Sequence, residues 1–123
     1  MHRVLIVDDE SMIADTLRLI FSRHGFHAMA TYSAECALKC ARSFLPELLL
    51  CDINMPGRSG LELMDDFSRE LPECRVLVLT GQQSNLSRVR ERLHRHQHPV
   101  RMLTKTCPPA VILHEAGQML AAT

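Results

Sequence analysis

The 123-residue chain contains no tryptophan and a single tyrosine, and aromatic residues make up only 4% of it. Base-stacking platforms and aromatic cages are therefore poorly supplied. Charge of one sign is also missing. Lys and Arg total 14, Asp and Glu total 14, and the net charge is zero. A dedicated nucleic-acid or membrane-surface module would normally be basic, so direct nucleic-acid binding is not expected. No apolar run approaches the ~20 residues needed to cross a bilayer. The opening RVLIV run is cut by Asp8 and Asp9, far short of a signal-peptide core. The five cysteines, Cys36, Cys40, Cys51, Cys74 and Cys107, are odd in number and have no C-x-x-C spacing. They read as reduced packing residues of a cytoplasmic protein. Cys36 and Cys40 lie one helical turn apart, but no neighbouring His or Cys completes a metal site.

What is present is an alternation of two kinds of segment. Residues 3–7 (RVLIV) form a short, nearly continuous apolar run, as in a strand covered on both faces. A helical stretch follows from about Ser11 to His24, with Met12, Ile13, Thr16, Leu17, Ile20 and Phe21 expected inward and Gly25 as its stop. Residues 27–31 read as a weak second strand, and Ser33 as the cap of a helix running to about Ser43. In that helix Ala37, Leu38 and Ala41 are expected inward. Leu48–Cys51 is a third apolar strand that runs straight into Asp52.

A turn-rich loop, residues 54–60, leads to a helix from Leu61 to about Leu71, with Leu61, Met64, Phe67 and Leu71 on one face. Arg75–Leu79 forms a fourth strand, Asn85 to about His96 a fourth helix, and Val100–Thr104 a fifth strand. Pro108 and Pro109 suit the first turn of a last helix that runs to about Ala121. Strands alternating with helices in this way imply an α/β fold with a parallel sheet covered on both faces. In such folds sites form at the C-terminal ends of the strands.

The reactive residue types sit at those ends. Asp8 and Asp9 follow the first strand, Asp52 ends the third, Thr80 the fourth, and Lys105 follows the fifth. Like charges crowded at one rim raise each other's pKa and oppose folding. A hard divalent cation such as Mg²⁺ removes that conflict. Asp9 and Asp52 would bind it directly, Asp8 directly or through water, and the backbone carbonyl of Asn54 could add an oxygen. Thr80 and Lys105 complete a phosphoryl-transfer site, with Asp52 as the nucleophile that becomes an acyl phosphate. Any one of these carboxylates alone could be a helix cap or a solvated loop residue. Five such residues at the strand ends of one sheet make that explanation weak for the set.

These residues carry a resemblance. The acidic pair in VLIVDDE, Asp52 in LLLCDINMPGRSG, Thr80 in VLVLTG and Lys105 in MLTKT resemble the receiver domain of two-component response regulators. Pro56 and Gly60 match the same family loop. The resemblance covers essentially residues 1–123 as one receiver domain. It implies a flavodoxin-like, doubly wound sheet of five parallel strands in the order 2-1-3-4-5, flanked by five helices. It implies Mg²⁺ dependence and phosphorylation of Asp52 by a phosphohistidine on a histidine kinase or histidine phosphotransfer protein. Thr80 would then turn toward the phosphoryl group and alter the face formed by the fourth helix, fifth strand and fifth helix. That face would meet an output domain, a partner protein or a second copy of the chain. Two positions depart from the family pattern. Thr106 stands where Pro usually follows the lysine, and Met102 where an aromatic residue often acts as a rotating switch.

Other features allow blander readings. The basic stretch 88–98 would be a solvated helix face or a docking surface. His94, His96 and His98 alternate by two and do not share a helix face. His2, His24, His27 and His114 are scattered and expected exposed. Asn54 and Gln82, two residues beyond Asp52 and Thr80, would line the mouth of the site and set the lifetime of a phosphoryl group. A haloacid-dehalogenase type phosphohydrolase would want an Asp at position 54 and a cap insertion. An adaptor that keeps the fold without using phosphate would usually have lost an acidic, Thr or Lys position. A nucleotide-binding module would carry a Gly-rich loop after the first strand.

Overall fold

A computed structural model describes residues 1–53, 60–81 and 100–121. Five strands, β1 (Arg3–Val7), β2 (His27–Thr31), β3 (Leu48–Asp52), β4 (Arg75–Thr80) and β5 (Arg101–Thr104), form one parallel sheet in the order β2-β1-β3-β4-β5. Four helices are present among the described residues: α1 (Ser11–Arg23), α2 (Ala34–Phe44), α3 (Gly60–Glu70) and α4 (Pro109–Ala121). The helix expected over 85–96, the basic stretch 88–98 with its three histidines, Asn54, Pro56 and Gln82 lie outside the described residues.

Alternation along the buried strands sorts the core into two layers. Leu5, Val7, Leu49, Cys51, Val76 and Val78 face α2 and α3, where they meet Ala37, Ala41, Leu63, Met64 and Phe67. Val4, Ile6, Leu48, Leu50, Leu77 and Leu79 face α1 and α4, meeting Ala14, Leu17, Phe21, Ile112, Ala116 and Met119. The three central strands, β1, β3 and β4, are nearly all apolar because both of their faces are covered.

Helix ends follow the local sequence. Gly25 takes φ +88°, and the Phe26 N–H donates to the Phe21 carbonyl at 3.1 Å. The Phe21 and Phe26 rings stack edge to face at 5.0 Å, completing a Schellman stop. The Ser33 hydroxyl caps α2 by accepting from the Cys36 N–H at 3.2 Å. At the other end of α2, Leu45 adopts φ +52° without being glycine.

Two packing expectations are corrected. Met12 is 82% exposed and Thr16 is also exposed, while Ala14, Leu17 and Phe21 form the buried stripe of α1. The small Ala14 side chain lets the first turn of the helix lie close to the sheet. Met12 is on the opposite side, since residues two apart point about 160° away from each other. Cys36 is exposed rather than packed, whereas Cys51 and Cys74 are buried. Burial raises both of those thiols, Cys74 to about 12, so neither ionises under ordinary conditions. His2, His24, His27 and His114 are exposed, as expected.

Candidate functional site

Strand register assembles the site. Val7 lies opposite Cys51, so the next residues, Asp8 and Asp52, leave the sheet side by side. By alternation both point to the face of Ile6 and Leu50, which α1 and α4 cover. Asp52 pairs with Leu79 and Thr80 with Thr104, which places Thr80 one step further out and Lys105 one step beyond the end of β5. The Lys105 N–H donates to the Thr80 carbonyl at 2.9 Å and ties these two strand ends together.

Asp8, Asp52 and Thr80 are all buried, at 1%, 2% and 5% exposure, while Asp9 is exposed. One oxygen from each of Asp8, Asp9 and Asp52 falls within 4.8 Å of the others. Lys105 Nζ donates to Asp52 Oδ2 at 2.9 Å and lies 3.3 Å from Asp8 Oδ2. Burial works against the Lys105 ammonium, but Asp52 and Asp8 outweigh it and hold its pKa above the ordinary lysine value. Burial pushes the Asp8 carboxyl up, against the lowering effects of the Glu10 N–H and Lys105. The structure thus brings Asp8, Asp9, Asp52, Thr80 and Lys105 to one rim.

The donor set fits a small hard cation. Three carboxylates converge, and the buried Asp8 Oδ2 has no well-directed hydrogen bond among the described residues. A buried, under-satisfied acceptor facing two further carboxylates is what an oxygen-ligated divalent ion would complete.

Two residues that the sequence pattern did not single out as actors shape this rim. Gly60 opens α3, and its N–H donates to the Ile53 carbonyl at 3.1 Å. A Cβ on Gly60 would fall 2.3 Å from the Asp52 carbonyl oxygen and 2.7 Å from Ile53 Cα. Glycine here lets the third βα unit close directly against the backbone of Asp52. Glu10 is the N-cap residue of α1, yet its side chain makes no capping bond. Its carboxylate instead approaches Lys105 Nζ at 3.7 Å.

At Lys105 the chain continues through Thr106, and the described residues contain no cis peptide bond. The Thr106 hydroxyl lies 3.1 Å from that of Thr104. Met102 is half-buried and packs against the layer that holds Val78. A groove of about 330 Å³ opens at the opposite end of the sheet, between Arg3, Glu47, Leu71 and Cys74, away from these carboxylates.

The response regulator receiver domain model matches residues 4–116. The chain belongs to the response regulator receiver family. Among curated relatives, the transcriptional regulatory protein MctR of Rhizobium johnstonii is 33% identical over 84 residues. That match covers 67% of this receiver and 39% of the relative, so the receiver spans well under half of MctR. A CheY-like receiver domain protein from Methanospirillum hungatei superposes with a TM-score of 0.88 at 24% identity, covering 98% of this chain and 94% of the other. The receiver domain of NtrX from Brucella abortus gives 0.85 at 25% identity, covering 98% and 99%. The response regulator TrrA from Thermotoga maritima, solved in complex with Mg(2+)-BeF, gives 0.84 at 24% identity, covering 97% and 99%. Receiver domains are signalling domains rather than conventional enzymes. No helix among the described residues is long and apolar enough to cross a membrane.

Proposed function

We propose that residues 1–123 act as a phosphoacceptor, with Asp52 taking a phosphoryl group from a phosphohistidine on a histidine kinase or histidine phosphotransfer protein in the cytoplasm. The observation that carries the reading is the Lys105 ammonium set between two buried carboxylates, 2.9 Å from Asp52 and 3.3 Å from Asp8. A structural ion pair needs one carboxylate; two buried ones with a third beside them suit a site built for a metal ion and a phosphoryl group. Asp8, Asp9 and Asp52, with the Asn54 carbonyl, would hold Mg²⁺, which when bound supplies positive charge to the oxygens of the transferring group.

The chain's own residues account for the rest. An Asp52 carboxylate oxygen attacks phosphorus, the new O–P bond forms, and the N–P bond to the donor imidazole breaks. The imidazole takes up a proton as it leaves. Lys105 releases Asp52 and pairs with a phosphoryl oxygen, neutralising charge where it develops. The Thr80 hydroxyl donates to another phosphoryl oxygen. Because Lys105 N–H is bonded to the Thr80 carbonyl, movement of either residue is felt by both β4 and β5. The altered face would comprise the segment 85–96, β5 and α4, and would meet an output domain, a partner protein or a second copy. The half-buried Met102 on β5 would stand in for the usual aromatic switch.

Intact mass after incubation with Mg²⁺ and a small acyl-phosphate donor tests this. One added phosphoryl group, absent in Asp52→Asn, is expected. Mass uptake that survives excess chelator would remove the metal from the reading. No uptake would favour a phosphorylation-independent adaptor, and continuous phosphate release from many substrates a phosphohydrolase.

A further inference from the structure

Glu10 occupies a position where its chemistry is not needed for the fold. An N-cap residue normally uses a short side chain to satisfy a free helix N–H, and Ser, Thr, Asp or Asn do this best. Glu10 does the backbone part of the task alone: its carbonyl accepts from Ile13 N–H at 3.0 Å and from Ala14 N–H at 3.1 Å. Its own N–H donates to Asp8 Oδ1 at 2.9 Å. The backbone is therefore pinned on both sides, while the carboxylate is 63% exposed and turned toward Lys105 at 3.7 Å. A negative charge at that place lies in front of the ammonium that would meet an incoming phosphoryl group.

We infer that Glu10 is a selectivity residue for the phosphodonor: its carboxylate at the mouth of the site disfavours small, highly charged anionic donors relative to donors of lower charge. This rests on the phosphoacceptor reading above. A free acyl phosphate must bring all its negative charge past Glu10 unaided. A phosphohistidine on a docked protein arrives held by other contacts and tolerates the repulsion. The penalty acts on approach and grows with donor charge. At roughly 5 Å in water-like surroundings with partial screening, one full charge changes a rate by about twofold, and two charges by about fivefold.

The test compares initial rates of Asp52 phosphorylation, with saturating Mg²⁺, for acetyl phosphate and for the less charged phosphoramidate. Glu10→Gln should raise the acetyl phosphate rate about fivefold and the phosphoramidate rate about twofold at low ionic strength. Glu10→Asp should keep a ratio near that of the wild type. The difference between Gln and Glu should vanish near ~1 M salt, where the screening length is about 3 Å. Thermal melts of the three proteins guard against a folding effect, which would move both donors alike. An equal change for both donors, no change, or a ratio indifferent to salt overturns the inference while leaving the phosphoacceptor reading standing. If neither donor phosphorylates the wild type, that reading fails and the selectivity role fails with it.

Discussion

Two glycines, both in helices, should respond in opposite directions to the same substitution. Alanine is usually the better helix residue by about 0.5–1 kcal/mol. At Gly117, inside α4, an added Cβ meets nothing within 4 Å, so Gly117→Ala should gain about that amount. At Gly60 the new Cβ would lie 2.3 Å from the Asp52 carbonyl oxygen and 2.7 Å from Ile53 Cα. Ordinary contact is roughly 3.5 Å, so either α3 or the end of β3 must give way by about 1 Å. Both opposing atoms are backbone atoms, which cannot swing aside as a flexible side chain would. Overpacking of this kind costs about 1–3 kcal/mol, only partly offset by the alanine preference. Gly60→Ala should therefore lower the melting midpoint by about 3–10 °C, while Gly117→Ala raises it by a few degrees. The displaced backbone carries Asp52. A shift near 1 Å at a reacting group is worth up to about 10²-fold in rate, so phosphoryl uptake by the folded Gly60→Ala protein should fall by about ten- to a hundredfold. Differential scanning calorimetry and intact-mass time courses on both variants are the assays. Gly60→Ala melting at or above wild type would refute the close approach. A lower midpoint with undiminished uptake would show that this contact does not place Asp52.

Further consequences are equally direct. Lys105→Ala removes the ammonium that lies beside the buried Asp8 and Asp52, so without added metal its stability should fall by about 3 kcal/mol in urea melts; an unchanged midpoint would displace Lys105 from the site. Mg²⁺ should stabilise the wild type by mass action, by about 2.7 kcal/mol at a hundredfold excess over its dissociation constant, and should raise its melting midpoint more than that of Asp52→Asn. The Glu47 carboxyl is held below the ordinary value of 4.5, chiefly by the hydrogen bond with His2 at 2.8 Å. Its contribution is complete above the unfolded value and is lost as pH falls through the lower native one. Melts of wild type and Glu47→Gln should therefore converge in that acid window, from a difference below about 1 kcal/mol at neutral pH. Leu45→Gly should raise stability by about 1 kcal/mol, since glycine takes positive φ freely and the residue is exposed; a lower midpoint would mean that its side chain packs more than its surroundings indicate.

The elements were legible because β1, β3 and β4 are short apolar runs and α1 and α2 carry a stop or cap of their own in Gly25 and Ser33. The parallel arrangement followed from alternation alone, and the strand order from the family resemblance. The site residues were visible because they interrupt apolar runs at their ends, as Asp52 does after LLLC. What escaped was whatever depends on distance through space. Met12 looks like core by residue type, yet Ala14 is the buried one because the helix packs close. Gly60 reads as a turn residue, and only folding shows that it abuts the carbonyl of Asp52, eight positions earlier. Glu10 stands beside the acidic pair, just before the helix, and the sequence pattern assigns it no role. Its approach to Lys105 spans most of the chain's length, and no local pattern reports it.

The placement of the lysine gives the site an internal gradient of firmness. Asp8 and Asp52 follow or end strands that have neighbours on both sides, β1 and β3. Lys105 follows β5, which among the described strands borders only β4 and is half open along its length. Amide hydrogen exchange should therefore be slowest beneath the two aspartates and fastest beside the lysine. A disturbance introduced at Asp52 meets a stiff floor on one side and a yielding margin on the other. On the phosphoacceptor reading, displacement would travel toward β5 and α4, and the two aspartates would stay in place.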